Sequence, residues 1–246
     1  MGCYNISLHA SPLDTAPSAR EAPPMDFMKI IESLDEALYA VASWLVFYPL
    51  TLWRTLFHPQ RMMNYADREV SDRPEDQYED AIRPPLFLFL TLLLSHGFEV
   101  TVAPRNPLLS DNHGLAALVD SDLALLALRL LLFSLFPLMM AVRLLRRQHT
   151  RLTHASLRRP FYGQCYTTAP LALLVGVGSL AGGFAFTGAH IVAAVSIGTA
   201  VVWYLSVQTC WFARRLRVPL LVGAGDALLS TFCSVGLFLL AAIVIL

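Results

Sequence analysis

The sequence predicts an all-α fold: a polytopic membrane helix bundle with five transmembrane helices, preceded by an N-terminal interfacial amphipathic helix. Three observations predict it. Of 246 residues, 56% are hydrophobic and 15% are charged, whereas a soluble domain carries about a quarter charged residues. The apolar residues gather into runs close to the roughly 20 residues that a bilayer requires. The arginines sit in alternate segments between those runs, as the positive-inside rule demands.

Taken in order, residues 1–25 predict a disordered cytoplasmic tail, rich in Pro, Ser and Ala. The stretch has no apolar core after a basic region, so it does not read as a cleavable signal peptide. Asp26 is a candidate N-cap for the next segment. There Ile30, Leu34, Leu38 and Val41 recur at spacings of three and four, and Lys29, Glu32, Asp35 and Glu36 fall largely on the other side. The apolar stretch Tyr39–Leu52 is short for a span and contains Pro49. Trp44, Tyr48 and Trp53 are aromatic types that favour the headgroup zone. These features predict a helix lying on the cytoplasmic leaflet and bending at Pro49, with packing against the bundle as the competing reading.

Residues 58–85 hold seven acidic residues and four arginines, which predicts a solvated acidic loop. Residues 26–85 thus form a cytoplasmic and interfacial region, and residues 86–246 a five-helix transmembrane domain. The first span, Leu86–Ala103, follows Pro84-Pro85, a pair suited to a helix start. The second, Ser121–Leu145, ends in an arginine cluster. The third runs from about Tyr166 to Phe186, the fourth from His190 to Phe212 and the fifth from Leu220 to Leu246.

Orientation follows from the arginines. Arg146, Arg147, Arg151, Arg158 and Arg159 follow span two, and Arg214, Arg215 and Arg217 follow span four. Arg105 alone follows span one, and none follows span three. The N-terminus is therefore expected in the cytoplasm and the C-terminus outside.

Polar residues inside apolar runs are the candidate functional residues, because they are costly there. Arg129 lies roughly 12 Å inside span two, counting 1.5 Å per residue from Ser121. Glu99 and His96 sit at similar depth in span one, joined to span two by a short link. An Arg129–Glu99 ion pair with His96 nearby is the expected arrangement; a clamp between two helices is the plainer role, and a proton or anion site the sharper one. Asp226 lies about one turn inside span five, where Gln208 and the Arg214, Arg215 and Arg217 cluster are its expected neighbours. Gly178 and Gly182 form a GxxxG in span three, repeated by Ser179 and Gly183, a spacing that lets helices approach closely in a bundle or a homo-oligomer.

Other chemistry is not indicated. The four cysteines form no CxxC, and Asp111, His113, Asp120 and Asp122 fit no metal-ligand spacing, so no metal and no cofactor is expected. The motifs GxSxG, HExxH and the phosphate loop are missing from the sequence, which predicts a non-enzyme. With 18 basic and 18 acidic residues, no global field attracts nucleic acid.

Two segments resemble a known family. Trp44–Met62, WLVFYPLTLWRTLFHPQRM, is similar to the entry segment of bacterial members of the Yip family of Ypt/Rab-interacting membrane proteins. Phe161–Leu171, FYGQCYTTAPL, is similar to the segment opening that family's third span. The acidic stretch Glu69–Asp80 has no counterpart in the resemblance. The resemblance implies a cytoplasmic N-terminal region followed by five spans, in a bacterial inner membrane. Residues and resemblance together point to an integral inner-membrane protein acting as a non-enzymatic scaffold, its partners the lipid bilayer and a protein met through the cytoplasmic N-terminal region. The alternative is a small permease or transporter subunit with a path through Arg129, Glu99, His96 and Asp226.

Overall fold

The computed structural model describes residues 27–73, 77–102, 122–184 and 187–245. The predicted tail and the metal candidates Asp111, His113 and Asp120 lie outside them. The described residues form seven helices and no strand: α1 (Phe27–Phe57), α2 (Pro59–Glu69), α3 (Pro84–Val102), α4 (Asp122–Arg147), α5 (His154–Gly182), α6 (Ala189–Leu216) and α7 (Leu220–Ile245). Helices α3 to α7 are long and apolar enough to cross a membrane by length and composition. The fold is an all-α bundle, and its five apolar helices fit an integral membrane protein.

The chain divides into two units, residues 1–42 and 43–246. The first contains the opening of α1, where Leu34, Leu38 and Tyr39 are exposed. In the second, α5 is the hub, packing on α2, α3, α4 and α6, while α7 rests on α4 and α6. Two apolar clusters fill the interior. One joins Met62, Phe87, Leu92, Leu126 and Tyr166; the other joins Met63, Phe136, Met140, Tyr204 and Phe212.

Three segments differ from the sequence expectation. From Ser43 onward α1 packs into the second unit: Trp44, Phe47, Tyr48 and Leu52 lie against the first cluster, and Tyr48 donates to Thr91 Oγ1 at 3.2 Å. The helix runs through Pro49 as one element. Its polar groups also find partners, since the Ile82 amide donates to Thr51 Oγ1 at 3.3 Å and Arg54 donates to the Asp80 carbonyl at 3.0 Å.

The acidic stretch is not simply solvated. Pro59, set for a first helical position, opens α2, and Met62, Met63 and Ala66 recur at helical spacing and are buried. Gly163 of α5 makes the approach close, because a Cβ there would stand 3.4 Å from the Met63 carbonyl. Beyond α2, Tyr78, Ala81 and Ile82 are buried as well. Residues 43–73 and 77–85 therefore pack with the five long helices.

Helix α5 begins twelve residues before the expected start of span three. Thr153 caps it: its side chain accepts from the Ser156 amide at 3.1 Å, and Ser156 Oγ accepts from the Thr153 amide at 3.0 Å. This reciprocal cap satisfies two donors that a helix start leaves open. At 29 residues the helix is roughly 43 Å long, well beyond a hydrocarbon core of about 30 Å. Its polar first turns, with Arg158 and Arg159, extend the bundle at the arginine-rich end. Gly188, at φ +101°, makes the tight link into α6, a backbone conformation that favours glycine.

Candidate functional site

Polar side chains gather at three levels of the bundle. At the end away from the arginine cluster, Arg129 of α4 forms an ion pair with Glu99 of α3. Both side chains are partly buried, at 25% and 30% exposure. His96, one turn earlier on α3, is buried, and neither ring nitrogen has a hydrogen-bond partner among the described residues. It is thus close along the helix to Glu99 without joining the pair by a hydrogen bond.

At the arginine-rich end, Asp226 of α7 is buried and held by α4. Arg143 donates to its Oδ1 from Nε at 2.9 Å and from Nη2 at 2.6 Å, and Arg147 donates to Oδ2 from Nε at 3.0 Å. This corrects the expected neighbours. Asp226 lies on the face of α7 that meets α4, where two arginines one turn apart present a paired set of donors. Gln208 does not reach it.

Gln208 instead faces α5, where it and Gln164 form a reciprocal amide pair: Gln164 Nε2 donates to Gln208 Oε1 at 2.9 Å, and Gln208 Nε2 donates to Gln164 Oε1 at 2.5 Å. Thr167 Oγ1 bridges the two at 3.2 Å to each. All three are fully buried. The amides satisfy one another, which removes the penalty of bare polar groups in an apolar interior. Gln164 stands two residues before the expected start of span three, so no apolar run marks it as a buried position.

The small residues divide by face. Gly178 lies against Ala193 and Ile197 of α6, and Gly182 against Ala193. Ser179 and Gly183 are exposed. Ser196 of α6 adds a hydrogen bond to the Leu174 carbonyl at 3.0 Å. At the opposite, arginine-rich end of the bundle, Arg215 pairs with Asp67 of α2, and Arg159 donates to Ser71. Gln60 donates to the Val207 carbonyl at 2.8 Å. These contacts tie α2 and the segment after it to α5 and α6.

Along α4, Arg129 and Arg143 are fourteen residues, or roughly 21 Å, apart. The intervening face carries Leu132, Phe136 and Met140, all buried. Phe136 packs edge-on to Tyr204 at 6.3 Å, and Phe133 edge-on to Phe238 at 6.1 Å. The face of α4 between the two charged sites is thus apolar, while the buried Ser230 and Ser234 on α7 donate back to the carbonyls of Asp226 and Ser230. Among the described residues, no group of three or more His, Cys, Asp or Glu is placed to hold a metal ion.

No family model, curated protein or solved structure matches this chain.

Proposed function

We propose that the chain is a non-enzymatic scaffold of the inner membrane, of the five-span kind that the Yip resemblance implies, with its N-terminus and arginine-rich end in the cytoplasm. One observation carries the reading: each of the two intramembrane charges, Arg129 and Asp226, is closed by a local partner, and the face of α4 between them is apolar. A transporter needs a polar route between them. Here Arg129 is matched by Glu99 and Asp226 by Arg143 and Arg147, which is the pattern of clamps between helices. The surface offered to a protein partner is the arginine-rich end, where α2 and residues 77–83 are folded against the bundle and expose Arg68, Glu79 and Arg83.

The test is affinity purification of the full chain from native membranes in mild detergent. A stoichiometric protein partner, lost when Arg68 and Arg83 are both replaced by Glu, is the expected result. Solute flux in reconstituted vesicles that is abolished by Arg129→Leu would overturn the scaffold reading in favour of the permease.

A further inference from the structure

The arginine-rich end contains a cavity of about 340 Å³ between α2, α4, α5 and α6. Arg159, Arg215, Asp67 and Ser156 line its polar side, and Leu144 and Trp211 its apolar side. Two guanidinium groups face one carboxylate, so the cavity carries excess positive charge. Neither arginine is used up. Arg215 is engaged by Asp67 and Arg159 by Ser71, yet each guanidinium has five N–H donors in a planar fork that matches phosphate oxygens. The cavity also includes Ala155 and Ser156 in the first turn of α5, where the helix dipole favours an anion. Charge, donors, volume and a partly apolar wall occur together at the arginine-rich end of a long helix.

We propose that this cavity binds a phosphate group, either that of an anionic phospholipid headgroup or a free phosphate. The site is independent of the scaffold reading, since a permease with the same cavity would bind the same group.

The purified full chain in detergent is titrated with phosphatidylglycerol, with phosphatidylcholine and with inorganic phosphate, following thermal unfolding and, by native mass spectrometry, bound mass. Binding of phosphatidylglycerol over phosphatidylcholine, or of inorganic phosphate, is expected, and the probe that binds identifies the source. Arg159→Gln is expected to weaken that binding about tenfold, the worth of a charge-assisted hydrogen bond. Arg158→Gln is the control: its guanidinium lies 5.3 Å from the Tyr162 ring and does not line the cavity, so binding should hold within about twofold. Ala155→Phe fills the cavity and keeps both arginines, and it should weaken binding as Arg159→Gln does, which preserves the test if that variant fails to fold. Absence of binding by every probe, equal weakening by Arg158→Gln and Arg159→Gln, or full binding by Ala155→Phe would overturn the site.

Discussion

Arg143 lays two of its guanidinium nitrogens on one carboxylate oxygen of Asp226, at 2.9 and 2.6 Å. Arg147 takes the other oxygen from one turn further along α4. The carboxylate is 3% exposed, whereas the arginines are 33% and 40% exposed. The cost of breaking the cluster therefore falls unevenly. Asp226→Asn leaves two cations with no counter-charge beside an apolar interior and is expected to cost about 2 kcal/mol, below the full buried-pair figure because water reaches the arginines. Arg147→Gln leaves Arg143 in place and is expected to cost less than about 1 kcal/mol. Thermal unfolding of the two variants in detergent checks the order, and an equal loss would show that Arg143 does not hold Asp226 by itself.

The Arg129–Glu99 pair allows a coupling measurement. Arg129→Leu or Glu99→Leu alone strands the partner's charge among apolar helices, so each is expected to cost about 1–3 kcal/mol. The double substitution removes both charges and should cost less than the sum, with a coupling of about 1 kcal/mol. Additive losses would mean that the two side chains do not stabilise each other.

How much of this was legible follows from how local each feature is. The five long helices can be read because an apolar run long enough to span a bilayer is a property of consecutive residues. The Arg129–Glu99 pair could be anticipated because its two helices carry consecutive apolar runs and both charges interrupt those runs. The partners of Asp226 could not: α7 meets α4, 79 and 83 residues earlier in the chain, and no feature of either segment announces that adjacency. Proximity in sequence points instead to Arg214, Arg215 and Arg217. Helix α2 was hidden because only Met62, Met63 and Ala66 carry its buried face, three small signals among many charges. The start of α5 was masked by Arg158, Arg159 and Pro160, residue types that also fill loops, although Thr153 and Ser156 were a readable cap.

The buried amide pair separates the worth of a hydrogen bond from the penalty of a bare group. Gln208→Leu leaves the Gln164 amide facing an apolar side chain and is expected to cost about 1–3 kcal/mol. Gln164→Leu combined with Gln208→Leu leaves no amide in need of a partner and should recover part of that loss. Denaturation midpoints of the single and double variants check this. A double variant less stable than either single one would show that the amides contribute packing that leucine does not replace.

Alkaline pH should loosen the segment after α2. Burial, with the charges of Glu69 and Asp80 adding to it, pushes the Tyr65 hydroxyl from 10.0 up to about 12, and burial raises Tyr78 as well. The two rings meet edge-on at 6.0 Å. Because the folded value is the higher one, the stabilisation is fully present below pH 10 and is lost as pH rises through about 12. Tyrosinate absorbance recorded beside unfolding should show the two events together in that window. Tyr65→Phe should delay the loss, and an unchanged alkaline transition would remove Tyr65 as its cause.

The glycines of the bundle should differ according to what a new methyl group meets. At Gly223 of α7 a Cβ would stand 2.8 Å from the Thr209 carbonyl and 2.9 Å from the Ala213 amide of α6, both backbone atoms. At Gly178 it would meet Ile197 Cγ1 at 2.7 Å and the Ala193 carbonyl at 3.2 Å; the closer of these is a side-chain atom, which gives way at less cost than backbone although χ1 of a β-branched residue is stiff in a helix. At Gly198 it would meet nothing within 4 Å. Backbone cannot yield without moving the helix, so Gly223→Ala is expected to cost about 2–3 kcal/mol and Gly178→Ala about 1 kcal/mol. Gly198→Ala should be neutral or stabilise by up to about 1 kcal/mol, since alanine is the better helix former. Melting temperatures of the three variants test the packing of α7 and α5 on α6 together. If Gly223→Ala is tolerated as well as Gly198→Ala, α7 does not pack against α6 as closely as these distances require.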